Sequence, residues 1–200
     1  MRWRPGWACG PTAPSSPNGL STILGVTDPT NTQAPAGVAF PKTIKSFVRR
    51  AGRTTTGQAK AFAELGPKFV LPYAPGAIDL VASYGRSAPT ILEIGFGMGE
   101  ATAHIAALMP EKNFLCCEVH EPGVGALLKR IGEQGLGNIR ILQHDAVEVM
   151  DQMLPEQSLD GVHIFFPDPW HKLRHNKRRL IQPPLVAKLA ARLKPGGYIH

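Results

Sequence analysis

Asp168 stands between Pro167 and Pro169, after the strand-like run Val162–Phe166 and before Trp170. Proline fixes φ and restricts the residue preceding it, so this carboxylate belongs to a stiff loop at the end of a strand. Lys172, Arg174, Lys177, Arg178 and Arg179 follow at once, with His171, His175 and Asn176 among them. An acid held beside an indole and a phosphate-attracting run suits chemistry on a base within a nucleic acid.

A second constellation precedes it. Glu93-Ile94-Gly95-Phe96-Gly97-Met98-Gly99-Glu100 follows an apolar run and enters a helical pattern. Alternate glycines let the backbone turn tightly and let a ligand approach the main chain. A dinucleotide fingerprint would need glycine at position 100, where this chain has Glu100. A carboxylate at a helix N-terminus repels pyrophosphate, whereas S-adenosylmethionine has no phosphate and carries a sulfonium cation. The spacing Gly95-x-Gly97-x-Gly99 therefore favours S-adenosylmethionine as the cofactor. Glu118, closing the second strand, is placed for the ribose hydroxyls of an adenosine, and Asp145, after the third, for the adenine amino group. With Glu93 and Asp168, these make four acids at the C-terminal ends of four successive strands. That edge is where open α/β sheets bind ligands.

The elements that must position these residues alternate regularly. Strands are expected at Thr90–Ile94, Phe114–Val119, Ile139–Leu142 and Val162–Phe166, with a fifth opening at Tyr198 after a turn at Lys194–Gly197. Helices are expected over Gln58–Leu65, Ala101–Met109, Val124–Ile131, Ala146–Met153 and Pro184–Leu193. The fold class is α/β: a central, mostly parallel sheet with helices on both faces. Because the chain stops as the fifth strand opens, its last strands are expected to be missing.

Composition sets the surroundings. Two hundred residues with 43% hydrophobic content can bury a sizeable core, and no run approaches the roughly 18 apolar residues of a membrane span. The net charge of +7 is segregated. Lys42, Lys45, Arg49, Arg50 and Arg53 lie in an acid-free stretch, and residues 172–179 form a second basic run, while residues 90–170 hold twelve acids against four Lys or Arg. A basic surface around an acidic centre suits a polyanionic substrate and a cationic cofactor. Cys9 and the adjacent Cys116-Cys117 show neither a disulfide framework nor zinc-ligand spacing, which points to reduced thiols in a cytoplasmic protein and to no metal. Residues 1–40 carry six prolines and few charges, a composition expected of a disordered extension. Residues 41–89 read as a basic segment packing on the core, and 90–200 as the catalytic domain, incomplete at its C-terminus.

These residues together resemble the bacterial tRNA (guanine-N7-)-methyltransferases, over about residues 42–200. The resemblance is carried by Ile44-Lys45-Ser46-Phe47-Val48-Arg49-Arg50, Leu92–Gly99, Glu118–Gly125 and His144-Asp145-Ala146. Most specific is Phe165-Phe166-Pro167-Asp168-Pro169-Trp170-His171-Lys172 with its tail Arg174–Arg179. It implies a Rossmann-like class I methyltransferase that uses S-adenosylmethionine to methylate N7 of a variable-loop guanosine in tRNA. By position it implies that Glu93, Glu118, Asp145 and Asp168 contact the cofactor and that Asp168 is catalytic. It also implies that Lys172 binds substrate and that Arg174, His175, Asn176, Lys177, Arg178 and Arg179 contact RNA. The family's Thr-Asp-Trp and Thr-x-x-Glu substrate segments are not among these 200 residues.

Guanine N7 carries no proton at neutral pH, so the expected role of Asp168 is to orient the base and offset the charge that methylation creates, not to act as a general base. Trp170 has two readings, a platform for the purine or a wall under the loop. His144, His171 and His175 read as phosphate contacts or surface residues. Three rival functions are open on residues alone. An amino-group nucleic-acid methyltransferase would want a second proline after Asp168-Pro169. A tRNA-binding fragment without catalysis would lack cofactor affinity. A nicotinamide dehydrogenase is opposed by Glu100.

Overall fold

The fold described is a computed structural model of the 200-residue chain, covering Ser46, Phe47 and residues 52–200. The expectations for residues 1–40, and for Lys42, Lys45, Arg49 and Arg50, lie outside the described residues. Helix α1 spans Thr56–Phe69, longer at both ends than expected, because Thr55 and Gln58 form a reciprocal capping box that starts it early. A short helix α2, Leu80–Tyr84, is capped by Asp79 and carries too little periodicity to be read in advance. Then β1 (Thr90–Ile94), α3 (Glu100–Leu108), β2 (Asn113–Cys117), α4 (Glu121–Gln134), β3 (Ile139–Leu142) and α5 (Ala146–Gln152) alternate as anticipated, followed by β4 (Leu159–His163), α6 (Pro183–Arg192) and β5 (Leu193–Ile199).

All five strands are parallel, in the order β3-β2-β1-β4-β5. The chain winds outward from β1 through β2 to β3, then crosses back to β4 on the other side of β1. The crevice between the C-terminal ends of β1 and β4 is therefore a topological switch point. Alternate residues of each strand feed opposite cores. Ile91, Phe114, Cys116, Ile139 and Ile141 pack with α1, α3 and α4, whereas Leu92, Ile94, Leu115, Cys117 and Leu142 pack with α5 and α6. Cys116 and Cys117 are both buried thiols on opposite faces of the sheet. Beyond α1, Val70 bridges to Ile141 and Leu71 donates its N–H to the Ile141 carbonyl, which ties this segment to the β3 edge.

Two expectations change here. The fourth strand runs Leu159–His163, not Val162–Phe166. Its ladder with β1 ends at the Glu93–His163 pair, and Phe166 has φ 47, which no strand continues through. The fifth strand begins at Leu193, so Lys194-Pro195-Gly196-Gly197 lies within it as an irregularity between the Leu159–Leu193 and Gly161–Tyr198 pairs. Gly196, at φ 82, absorbs the bend. Among the described residues no helix is long and apolar enough to cross a membrane.

Candidate functional site

The loop after β1 sits at the switch point in a conformation that glycine permits. Gly95, Gly97 and Gly99 have φ of 76, 57 and 73. A Cβ on Gly95 or Gly97 would meet nothing within 4 Å, so both present bare main chain to open space. The other side of the loop is pressed against α4. A Cβ on Gly99 would lie 2.8 Å from the Leu127 side chain, and one on Gly123 would lie 2.2 Å from the Gly97 carbonyl oxygen. The loop is thus clamped from behind and open in front, as a ligand cradle must be.

Glu118, just past β2, locks the cradle. Its Oε2 accepts from the Gly97 N–H at 2.9 Å, and its Oε1 accepts from the N–H groups of Val119 at 2.7 Å and His120 at 3.0 Å. One carboxylate therefore joins the glycine loop to the start of α4. Asp145 caps α5, its Oδ1 accepting from the Val147 N–H at 3.0 Å. Nearby, His144 stacks on Tyr73 with centroids 3.6 Å apart, and its Nε2 lies 2.6 Å from Glu148 Oε2.

The fourth wall is the loop after β4. Phe165 turns inward toward His163 and His200, at centroid distances of 5.2 and 5.4 Å. Phe166 and Asp168 are exposed along the rim of the cleft. Trp170 is packed as a wall: its Nε1–H donates to the Ser46 carbonyl at 3.1 Å, the Arg178 guanidinium lies 4.9 Å from its ring centre, and His175 meets it edge-on at 5.5 Å. Arg179 Nε–H donates to the Pro169 carbonyl at 3.1 Å, bracing the loop from outside.

The resulting cavity, about 230 Å³, is lined by Gly95, Gly97, Glu118, Asp145, Phe166 and Asp168, among others. Five of the anticipated residues meet there, Gly95, Gly97, Glu118, Asp145 and Asp168, while Gly99 lies behind them as the N-cap of α3, against Leu127. Glu93 differs. It is 2% exposed beneath the glycine loop, its Oε1 accepting from the Thr102 hydroxyl at 3.0 Å, and burial pushes its carboxyl up to about 7. Glu100 opens α3, where it is anticipated, but its charge is directed elsewhere. Its carboxylate reaches across to Arg130 at 2.5 Å on α4 and is not among the cavity's lining residues, so it does not itself occupy an anion position. Ser46, Phe47 and Phe166 line the cavity although no spacing rule marks them. Ser46 and Phe47 arrive from far along the chain, which periodicity cannot register.

A second groove of about 530 Å³ adjoins the first and shares Ser46, Asp145 and Leu180 with it. Lys177, Arg178, Arg179 and Lys188 contribute its positive charge, and Lys188 pairs with Asp151. The 3-10 turn Leu173–Arg178 carries the exposed Arg174, Asn176 and Lys177 along this side, with Lys172 at its start. Among the described residues no three His, Cys, Asp or Glu side chains converge as metal ligands.

The cradle fits S-adenosylmethionine: bare glycine backbone in front, and acids after β2 and β3 for an adenosine. Comparisons with known proteins agree. Residues 87–200 match the family described as "Putative methyltransferase". The tRNA (guanine-N(7)-)-methyltransferase of Paracidovorax citrulli (strain AAC00-1) is 78% identical over 170 residues, covering 85% of this chain and 68% of that protein. Its counterpart in Acidovorax sp. (strain JS42) is 79% identical over 167 residues, with 84% and 66% covered. That of Albidiferax ferrireducens (strain ATCC BAA-621 / DSM 15236 / T118) is 77% identical over 177 residues, with 83% and 72% covered. The chain thus spans about two thirds of the length of these relatives. A doubly wound parallel sheet, a glycine cradle at its switch point and this level of identity lead to one conclusion: the chain belongs to the tRNA (guanine-N(7)-)-methyltransferase family.

Proposed function

We propose that this chain transfers a methyl group from S-adenosylmethionine to N7 of a guanosine in tRNA. The observation that carries this reading is a cleft lined by both Asp168 and the glycine cradle, with a cation-lined groove beside it. When bound, S-adenosylmethionine supplies an electrophilic methyl group on a sulfonium. Gly95 and Gly97 admit the cofactor's backbone-facing side. Glu118 holds the loop and, on the cleft wall, serves a ribose hydroxyl with the acceptor capacity its main-chain partners leave, Asp145 serves the adenine edge, and Glu93 supports the cradle from below.

Asp168 acts on the other reactant. Guanine N7 has an in-plane lone pair and no proton, so no side chain is needed to remove one. The methylated purine is cationic, and a carboxylate already in place offsets that charge as it develops. Alignment of the base against the cradle is the main contribution, worth several kcal/mol in such systems. Lys172, Arg174, His175, Asn176, Lys177, Arg178 and Arg179 position the RNA through its phosphates without reading its sequence. A tRNA substrate places the protein in the cytoplasm.

The test is direct. Incubated with tRNA and methyl-labelled S-adenosylmethionine, the chain is expected to yield labelled 7-methylguanosine after nuclease digestion. Asp168→Ala is expected to abolish transfer while leaving cofactor affinity within a few-fold. Label on an exocyclic amino group, or undiminished turnover in the variant, refutes the reading.

A further inference from the structure

The loop after β4 carries an aromatic side chain whose placement the fold does not explain. Phe166 is 99% exposed and its backbone has φ 47, a region that disfavours bulky side chains. A single exposed ring is ordinary, but one held on a backbone that disfavours it costs the fold strain without burying area in return. The preceding Phe165 also lines the cleft, but its ring is held against His163 and His200, whereas the turn at Phe166 leaves that ring in the open. The third aromatic of this loop, Trp170, also has a positive φ of 44, but its N–H is taken by Ser46, one side is covered by Arg178 and an edge is met by His175. Phe166 lines the same cleft as Asp168, two residues on. Its neighbour groove is rimmed by cations that attract RNA phosphates.

We propose that Phe166 is the platform on which the target guanine stacks, leaving the edges of the base free for Asp168 and for the reacting methyl group. This rests on the proposed transfer to tRNA. A flat ring beside the carboxylate supplies what that carboxylate lacks, a surface that fixes the tilt of the base. Base–aromatic stacking is sequence-tolerant, so Phe166 adds affinity and alignment while discrimination for guanine stays with polar groups at the base edges.

The experiment compares wild type with Phe166→Ala, Phe166→Gly and Phe166→Tyr in steady-state methylation of tRNA, with S-adenosylmethionine affinity and melting temperature measured alongside. Glycine tolerates the positive φ and removes only the ring. Both Phe166→Ala and Phe166→Gly are expected to lose roughly ten- to hundredfold in kcat/KM for tRNA, with cofactor affinity unchanged. Phe166→Tyr is expected to stay within a few-fold of wild type. Wild-type kcat/KM in the glycine and alanine variants overturns the inference, and if their melting temperature also falls, the ring serves packing. A tyrosine variant as poor as alanine overturns it too. Failure of the wild type itself to form 7-methylguanosine removes the reaction, and the platform with it; normal wild-type product with indifferent variants removes the platform alone.

Discussion

Replacing Glu118 by Gln tests how the cofactor cradle is held. The carboxylate offers two acceptor oxygens to donors on opposite sides, Gly97 on one and Val119 with His120 on the other. Glutamine has one oxygen and one NH2 group. Its oxygen will serve Val119 and His120, because that side satisfies two donors, and its NH2 then faces the Gly97 N–H. The loss is one hydrogen bond to a charged acceptor, roughly 1.5–3 kcal/mol, and the partial water access of this rim sets it at the lower end, about 1.5 kcal/mol. The glycine loop is the element released, so the effect concentrates on binding: at about 1.4 kcal/mol per tenfold, S-adenosylmethionine affinity should fall by about an order of magnitude. Calorimetric titration with S-adenosylmethionine and urea denaturation of the ligand-free chain measure the two consequences. Unchanged affinity together with an unchanged denaturation midpoint would refute the idea that this carboxylate organises the loop.

The same clamp is tested from behind by Gly123→Ala, whose Cβ would lie 2.2 Å from the Gly97 carbonyl oxygen. Overpacking costs typically 1–3 kcal/mol, and titration should show weaker S-adenosylmethionine binding. Gly125→Ala, which meets Gln58 at 2.8 Å instead, should lower the melting temperature with little effect on affinity. Glu93, with its folded carboxyl up at about 7 against an ordinary value near 4.5, ionises in the unfolded chain first. Its contribution is therefore fully present below about pH 4.5 and is lost as pH rises toward 7. Glu93→Gln should accordingly gain on the wild type by about 3 kcal/mol across that window, read from urea midpoints at pH 4.5 and 7.5. A difference between the two proteins that does not vary with pH would count against it. Lys177→Ala/Arg178→Ala/Arg179→Ala should make the plot of log K for tRNA against log salt shallower by about 2. A slope equal to wild type would move the RNA surface elsewhere.

Much of this fold is local information. The five-residue run Thr90–Ile94 is buried on both faces, as a parallel strand between two helical layers requires, and its apolar content alone marks it. Adjacent Cys116 and Cys117 fall into opposite cores because strand side chains alternate. The glycine spacing of residues 95–99 announces a tight turn open to a ligand, and positive φ is found at its three alternate glycines. Strand four was misplaced for the converse reason. Phe165 and Phe166 extend the apolar run, but one caps a small aromatic cluster and the other stands on the rim of the cleft. Hydrophobicity along a chain does not distinguish burial in a core from display at a site.

Residue types and short-range spacing were enough to mark an alternating α/β chain, a glycine cradle and an acid between prolines, since each is set by the conformational limits of a few neighbouring residues. Where each acid's charge is used depended on contacts between distant segments. Glu93 and Glu118 look equivalent in the chain, both acids near the ends of successive strands. One is sealed under the loop at 2% exposure against Thr102, while the other ties the loop to α4 through three main-chain amides. Glu100 reads as a guard against phosphate and is instead spoken for by Arg130, thirty residues away. Trp170 is held by Ser46 across 124 residues, whereas Phe166 in the same loop stands exposed. Register, crossover and the packing of α4 on the loop settle such matters, because a side chain's partner is whatever the folded chain brings within about 3 Å of it.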